Sequence, residues 1–471
     1  MSSAAPTPPL PPGVTEPIPR ALFKLALPAL ASFILRIGYQ WVDALWVRGL
    51  GVEATAAVTT SIFVMWAMYS LNDVFAIGVT AYTSQLLGAG DRNRAGVAAY
   101  KGLRASALAG LLGTALGLFG ARAVYGLMDH DPKMVATGAS YLSIVLIGAP
   151  LPMMALTCES IMRAAGDTRT PLLIDFCAVA LNAALDPLLI YGWGPFPRLG
   201  VAGAAWATVA AQAALVAGYL IMAARGHRAF PLARRADGPP VRLWGLVRVG
   251  IPAAAIGMLF SVVYVAFARS AARFGPSSLA IVGIANRIEA IQFATSVALG
   301  TAGASLVGQN LGAGKPERAV AAIKTGLLWG TIVSAIVTTV IMVNPDVFIT
   351  LFTRDPGVHA IGVPYLRVLS ICLIVNCWEI VTAESVLGSG HTTAMSVIFS
   401  SFSLLRIPLA FLVPHWMGNG ALGIAWVITA TCLVRGLIIV AWAARGTWKT
   451  GLRSELQGGP DPLPANDRVT G

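Results

Sequence analysis

Two pairs of oxygen-bearing side chains lie inside long apolar stretches of the sequence. Tyr39 and Asp43 are four residues apart, and Asn182 and Asp186 have the same spacing, so each pair projects from one face of a helix. With Thr208 they supply carboxylate, amide and hydroxyl oxygens, which hard cations prefer as ligands, and neighbouring carboxylates also tend to share a proton. We therefore predict a site for H⁺ or Na⁺. For Asn182 or Thr208 taken alone, an interhelical hydrogen bond is the simpler interpretation.

A proline beside this set offers one more oxygen. Pro187 has no N–H, and its ring disfavours the helical hydrogen bond to the carbonyl four residues back. We therefore expect the carbonyl oxygen of Ala183 to be free close to Asp186. Beyond a possible Na⁺ at Asp43, Asn182 and Asp186, no metal site is predicted, because the five His are scattered and the five Cys show no metal-ligand spacing.

Other charges inside apolar segments are candidates for substrate binding or gating, since a charge at membrane depth is expensive and rare. These candidates are Arg36, Asp73, Glu159, Glu379 and Arg406. Arg36, seven residues before Asp43, is placed to neutralise that carboxylate or a substrate. Glu379 is placed to contact a cationic substrate. Glu159 corresponds to Glu384 in an internal repeat, so a structural role fits it equally well.

The elements that carry these residues are expected to be membrane-spanning helices. The chain is 56% hydrophobic and 11% charged, whereas a soluble domain has roughly 25% charged residues. A helix of about 20 apolar residues spans a bilayer, and the sequence contains twelve such segments. They cover residues 22–47, 54–86, 96–122, 136–162, 170–192, 201–224, 243–272, 278–310, 319–349, 359–388, 393–414 and 421–444.

A nine-residue motif occurs twice, as LGAGDRNRA from residue 87 and as LGAGKPERA from residue 311. The same spacing of 224 residues relates KLALP to RVGIP, and slightly shifted spacings relate ESIMRAAGDT to ESVLGSGHT and GAAWAT to GIAWVI. The chain is thus predicted to be two six-helix bundles in the same orientation, related by a pseudo-twofold axis along the membrane normal. Each motif is the loop between the second and third helices of a half, where glycines permit a helix end and a turn.

The two halves differ where the first carries its oxygen-rich set. The second half has mostly apolar residues there: Phe267 for Asp43, Val263 for Tyr39, Ile407 for Asp186, Ser403 for Asn182 and Ile428 for Thr208. Two bundles around a central cleft can rock to expose it to alternate sides, which is the architecture of a transporter. A duplicated membrane enzyme or scaffold is the alternative.

Basic residues are concentrated in the loops on the side of the N-terminus, for example Arg225, Arg228, Arg234, Arg235 and Arg242 around the central linker. This asymmetry places both termini in the cytoplasm. The predicted organisation is a disordered tail over 1–19, a first bundle over 20–226, a linker over 227–242, a second bundle over 243–446 and a disordered tail over 447–471. The net charge of +12 does not indicate nucleic-acid binding, because no basic patch is interleaved with stacking aromatics.

Over about residues 20–445 the sequence resembles the multidrug and toxic compound extrusion (MATE) family, in its DinF-like branch. The resemblance rests on WVDALWVRGLG, SQLLGAG, RAAGDT, LNAALDPLLIYG, GVAGAAWAT, RIEAIQFATSVALGTAGASLVGQNLGAG and RIPLAFL. It implies a twelve-helix antiporter that exports organic cations and drugs against inward Na⁺ or H⁺. The family's cation site, an acid of the first helix with an Asn and an Asp of the fifth, matches Asp43, Asn182 and Asp186. The seventh helix lacks the acid that some members use there, which favours the first-half site.

The combined prediction is an all-α integral membrane antiporter in a bacterial inner membrane. It would exchange small organic compounds, cationic or amphipathic, for H⁺ or Na⁺, as a monomer with no cofactor other than the coupling ion. One alternative is a lipid or lipid-linked oligosaccharide flippase of the same superfamily, which would need a cationic cleft for a pyrophosphate. An integral-membrane enzyme is less favoured, because no nucleophile or metal constellation is visible.

Overall fold

The computed structural model describes residues 10–128 and 132–457, and all of them lie in helices, turns or loops. The first half contains α1 (Pro12–Thr15), α2 (Ile18–Arg48), α3 (Val52–Gly88), α4 (Arg92–Phe119), α5 (Ala121–Met128), α6 (Pro132–Ile147), α7 (Pro150–Ala164), α8 (Arg169–Tyr191) and α9 (Val201–Ala224). The second half contains α10 (Leu243–Ala272), α11 (Pro276–Gly312), α12 (Pro316–Val343), α13 (Pro345–Thr350), α14 (Pro356–Ser370), α15 (Leu373–Leu387), α16 (Thr393–Met417) and α17 (Gly420–Arg445). A 3₁₀ turn (Thr447–Thr450) and α18 (Arg453–Leu456) follow.

The described residues form twelve helical spans, as predicted. Among the described residues, nine helices are long and apolar enough to cross a membrane, and two bent pairs bring the number to eleven. The 37-residue α3, packed between α4, α10 and α11, is the twelfth. Each half contributes six of these spans. The all-α, two-bundle prediction is confirmed.

Two of the predicted single spans are broken helices. The span predicted over 136–162 is α6 and α7, which meet at 47°, and the span predicted over 359–388 is α14 and α15, which meet at 50°. At the first break, Pro150 begins α7 and lacks the N–H that would continue α6. At the second, the Cys372 thiol donates to the carbonyl of Leu369 at 3.2 Å. The breaks occupy corresponding places in the two halves.

The halves meet in close backbone contact where the second and eighth spans, α3 and α11, end. Gln85 Nε2 donates to Gly388 O at 2.9 Å, and its repeat partner Gln309 donates to Ala164 O at 2.8 Å. Gly88 lies against the Gln309 backbone and Gly312 against the Gln85 backbone, so closely that a Cβ at either glycine would collide. We call Gln85, Gly88, Gln309 and Gly312 the terminal gate. The repeated motif therefore brings the two halves together, a role beyond the predicted turn.

Both ends of the described chain pack beside the terminal gate, and the side that they share is here called the terminal side. Asn310 donates to Gly13 O at 3.0 Å and Arg318 to Glu16 O at 2.5 Å. At the other end, the Leu452 N–H donates to Gln85 Oε1 at 2.8 Å and Arg94 Nη2 to Leu456 O at 2.7 Å. Arg94 and Arg318 are repeat partners, so each repeated arginine holds one end of the chain.

The prediction of disordered tails is therefore wrong for residues 10–19 and 447–457. Their backbone carbonyls and N–H groups bind side chains of distant helices, and Trp448 and Leu452 are buried. A composition rich in Pro and Gly does not reveal such partners. The rest of the predicted tails, residues 1–9 and 458–471, lies outside the described residues.

Candidate cation and substrate site

Three helices of the first half bring the predicted oxygen-bearing residues together. α8 packs between α2 and α9, and the Asp186 carboxylate lies within electrostatic range of Asp43 and of the Tyr39 hydroxyl. The Tyr39 hydroxyl donates to Thr208 Oγ1 at 3.2 Å. The carboxylates of Asp43 and Asp186 lie within electrostatic range of each other and of the Tyr141 hydroxyl. Tyr39, Asp43, Asp186 and Thr208 thus lie together, and with Asn182, one turn before Asp186 on α8, we call them the upper site. That Asn182 shares a bound ion with them stays a prediction.

The upper site contains polar atoms that the protein itself does not satisfy. Asn182 and Asp186 are fully buried, and both amide atoms and both carboxylate oxygens lack a hydrogen-bond partner among the described residues. Asp43 Oδ1 is in the same condition. Buried polar groups in native proteins are nearly always paired, and an unpaired one costs free energy. This donor set of oxygens fits a proton or Na⁺, which would satisfy several of these atoms at once.

Pro187 lies inside α8 without ending it, because the helix continues to Tyr191. The free carbonyl oxygen that we expect at Ala183 stays a prediction. The helix as a whole keeps Asn182 and Asp186 on one buried face.

A second charged group, the lower site, lies nearer the terminal side. Arg36 Nη2 contacts Glu159 Oε2 at 2.5 Å and Asp175 Oδ2 at 3.1 Å. Arg163 Nη1 contacts the other oxygen of Glu159 at 2.7 Å. Arg36 thus pairs with Glu159 and Asp175, and not with Asp43, which is seven residues or about 10 Å further along α2. Asp43 is therefore left without this guanidinium.

A cavity of about 370 Å³ opens between the helices of the first half. Its polar lining consists of Arg36, Tyr39, Tyr69, Asp73, Glu159, Asp175 and Gln212. Three carboxyl groups line the cavity together with Arg36, and Arg163 compensates Glu159 from outside the lining, so one negative charge remains in excess. The aromatic rings of the two tyrosines can also attract an organic cation. Tyr39 belongs both to this cavity and to the upper site, so the two sites share a side chain.

The second half holds a buried ion pair at the corresponding depth. Arg435 Nε lies 2.7 Å from Glu379 Oε1, with both residues at most 3% exposed, and the guanidinium stacks 4.0 Å over the ring of Phe399. Arg406 Nε donates to Thr431 Oγ1 at 2.7 Å. Glu379, which we expected to contact a substrate, is therefore engaged by Arg435.

Arg435 was missed by the sequence reasoning, although a lone arginine within TCLVRGLIIV is a visible signal of the same kind as Arg406. Its repeat counterpart is Leu215, which lines the first-half cavity. At some repeat positions the first half has the charged residue, and at others the second half has it. The second half is therefore not simply the apolar copy of the first that the comparison of the repeats in the sequence indicated.

Glu159 and Glu384 are repeat partners with different surroundings. Glu159 binds two guanidinium groups, whereas Phe260 and Gly388 occupy the positions of Arg36 and Arg163 around Glu384. Glu384 lies within electrostatic range of Asp73 and Arg163 from the other half. The two glutamates therefore have different surroundings: Glu159 pairs with arginines of its own half, whereas Glu384 faces charged residues of the other half.

Comparison with known proteins bears on both halves. The model of the MatE family matches residues 28–188 and again residues 252–412. The two matches are 224 residues apart, which is the spacing of the internal repeat.

Individual proteins match over nearly their whole length. A Shewanella oneidensis protein named as an FAD transporter is 27% identical over 443 residues, covering 92% of this chain and 96% of that protein. A probable multidrug resistance protein NorM of Thermotoga maritima is 26% identical, covering 92% and 93%. Among solved structures, an outward-facing multidrug resistance MATE transporter of the MOP superfamily superposes with a TM-score of 0.85 at 22% identity, covering 93% of this chain and 98% of that one. At this identity, the structural match bears on the fold alone.

Proposed function

Because the chain belongs to the MatE family of multi-pass membrane transporters, we propose that it is a secondary active antiporter. It exports small organic compounds, cationic or amphipathic, in exchange for H⁺ or Na⁺ by alternating access. The observation that carries this proposal is the upper site, where Asp43 Oδ1, the Asn182 amide and both Asp186 oxygens lack a partner among the described residues. An acid-lined cavity beside it shares Tyr39 with it. The coupling ion is the only cofactor that the proposal requires, and one chain is the working unit.

Electrostatic competition is the proposed basis of coupling. When Asp43 and Asp186 are ionised, the first half carries an acidic excess that attracts an organic cation into the cavity. A proton or Na⁺ bound in the upper site reduces that attraction. Tyr39 transmits the same change by geometry, since its hydroxyl bonds Thr208 in one site and its ring lines the other. Linkage requires that the ion and the substrate weaken each other's binding by the same factor.

Sidedness completes the proposal. The terminal side carries the basic loops, so it is the cytoplasmic side of a bacterial inner membrane by the positive-inside rule. The hydrogen bonds of the terminal gate then close the protein toward the cytoplasm. Export requires the gate to open so that a substrate can enter from inside, and only a ligand with different affinities for the two states can shift that equilibrium.

Transport in proteoliposomes tests the proposal. Asp43→Asn and Asp186→Asn each remove one carboxylate from the upper site, and both are expected to abolish ion-driven transport of an organic cation while the protein still inserts and folds. Glu317→Gln, which removes an exposed carboxylate on the terminal side, is the matched control and should transport as the wild type does. Coupled transport at the wild-type rate in either aspartate variant would refute the upper site.

The choice between ions follows from binding measurements on the purified protein. A labelled organic cation is titrated with Na⁺ at fixed pH and, separately, with acid at fixed Na⁺. Weakened binding in one arm identifies the coupling ion, and a tenfold effect corresponds to about 1.4 kcal/mol. Asp43→Asn should remove the antagonism. If neither arm weakens binding of the wild type, the competition mechanism fails.

An anionic substrate is the second candidate function. It is favoured by the relative named as an FAD transporter and by the buried Arg406 and Arg435 of the second half. A flippase for a lipid-linked pyrophosphate would draw on the same two arginines. The acidic lining of the first-half cavity disfavours both. Uptake of FAD and of an organic cation by the same vesicles discriminates, since the antiporter proposal requires transport of the cation under an ion gradient.

A further inference from the structure

A basic cavity on the terminal side lies outside the proposed transport path. It has a volume of about 450 Å³ and is formed where the linker between the halves crosses the beginning of α4. Its charged lining consists of Arg94, Lys101, Arg234, Arg235 and Asp237. Four cationic side chains face one carboxylate, which is the charge balance of a site for an anion.

The inner wall of this cavity is built from polar groups whose positions are held. Arg94 is only 9% exposed, and Leu456 O accepts from its Nη2 at 2.7 Å. Its Nε is buried without a partner among the described residues. Lys101 Nζ donates to the neutral carbonyl of Val241 at 2.7 Å, which leaves its charge uncompensated by that contact. The Asp91 carboxylate lies 3.6 Å from Arg94 Nη1. At this distance it offsets only part of the positive charge of Arg94.

The outer wall is exposed and basic. Arg234 and Arg235 are exposed on the linker, and the Arg234 guanidinium lies 6.0 Å from the centroid of the Tyr100 ring. Guanidinium groups bind phosphate oxygens in bidentate fashion.

The lipid-facing stripe of α4 continues from this cavity. Arg104, Leu108 and Leu111 follow one another at helical spacing after Lys101, and all three side chains are exposed. Leu108 lies seven residues, or about 10 Å, beyond Lys101. A molecule with a phosphate in the basic cavity would therefore lay an apolar tail along exposed leucines in the bilayer.

From these contacts we infer that the cavity binds the phosphate of an anionic phospholipid from the leaflet on the terminal side. The chemistry required is an anionic phosphate ester attached to an acyl chain. Basic pockets between membrane helices on the cytoplasmic side recognise lipid headgroups by these means. Because Arg94 and Lys101 also hold the C-terminal segment and the linker, the lipid would bind where the two halves are tethered. The inference does not depend on the ion or substrate of the transporter.

Native mass spectrometry of the purified full-length protein tests the inference. Phosphatidylglycerol and zwitterionic phosphatidylcholine are titrated separately, and the dissociation constant of the first bound lipid is measured. The double variant Arg234→Gln/Arg235→Gln should weaken phosphatidylglycerol binding at least tenfold, or about 1.4 kcal/mol, and leave phosphatidylcholine unchanged. The control Arg225→Gln/Arg228→Gln removes the same charge from exposed arginines that do not line the cavity and should keep the wild-type constant.

Three results would overturn the inference. Equal losses of phosphatidylglycerol binding in both double variants would mean that the protein senses only net charge. Equal binding of the two lipids by the wild type would mean that no anionic headgroup is selected. Inorganic phosphate is the third arm. If it protects the protein from thermal unfolding as well as phosphatidylglycerol does at equal concentration, the ligand is a free phosphate and the lipid assignment is wrong.

Discussion

Glu379 and Arg435 form the buried ion pair of the second half. Replacing them with the residues at the corresponding first-half positions should show how much unfolding free energy a single unpaired charge costs and how much the intact pair contributes. Glu379 and Arg435 are at most 3% exposed and lie 2.7 Å apart. Their repeat positions in the first half hold Met154 and Leu215. The perturbation consists of Glu379→Met, Arg435→Leu and the double variant, so each new side chain is one that the same fold already accommodates in the other half.

The expected magnitudes follow from burial. Removing one partner leaves an uncompensated charge in the interior, which costs about 3–5 kcal/mol in comparable buried pairs. Removing both leaves no buried charge, and replacing a buried pair by apolar side chains that fill the space is often neutral or stabilising. Each single variant should therefore lose about 3–5 kcal/mol of unfolding free energy. The unfolding free energy of the double variant should lie within about 1 kcal/mol of the wild-type value. In a double-mutant cycle, this result corresponds to a large favourable interaction energy between Glu379 and Arg435.

Denaturant unfolding in mixed micelles, followed by the fluorescence of the twelve tryptophans, gives the four free energies. Glu317→Gln controls for loss of an exposed carboxylate and should change the free energy by less than about 0.5 kcal/mol. The reasoning is refuted if the single variants cost less than about 1 kcal/mol or if the double variant shows the sum of both losses. Transport by the double variant is then informative, since a pair with a purely structural role can be replaced without loss of organic-cation transport.

Three further predictions concern the gate, the asymmetry of the halves and an acid-sensitive histidine. Gln85→Leu removes the hydrogen bonds to Gly388 and Leu452, so the terminal gate should lose about 1–3 kcal/mol of stability. Backbone amides at the ends of α3 and α11 should then exchange their hydrogens faster, and an unchanged exchange rate would contradict this. Phe267→Leu should leave the number of ions per transported substrate unchanged in reconstituted vesicles, since that position no longer holds a ligand, and a changed ratio would refute the asymmetry argument. Burial lowers the pKa of His391, in the loop before α16, below its ordinary value of 6.5, so the folded protein binds fewer protons than the unfolded chain and loses stability as the pH falls through about 6.5. His391→Gln should reduce the difference in melting temperature between pH 8 and pH 5, and an undiminished difference would exclude this histidine as a source of acid lability.

Much of the architecture is readable in the sequence because its signals are local or periodic. Apolar segments of membrane-spanning length and a repeat at 224 residues are enough to predict twelve helices in two bundles. Spacing by four residues places Tyr39 with Asp43 and Asn182 with Asp186 on helix faces, whatever the rest of the protein does. Comparison of the repeats then selects these residues from the other polar positions, since a copy that has lost a carboxylate no longer performs its role.

Tertiary structure decided which charges meet. Arg36 and Glu159 are 123 residues apart in the chain, and their contact depends on the rotation and depth of α2 and α7, which no local pattern encodes. For the same reason, the sequence suggested Arg36 as a partner for Asp43, and it did not reveal that Arg435 engages Glu379. The packing of residues 10–19 and 447–457 was also out of reach, because their partners at the terminal gate come from distant helices. Helix formation is governed by hydrophobicity and periodicity along the chain, whereas an ion pair is chosen by the three-dimensional arrangement of helices after they pack.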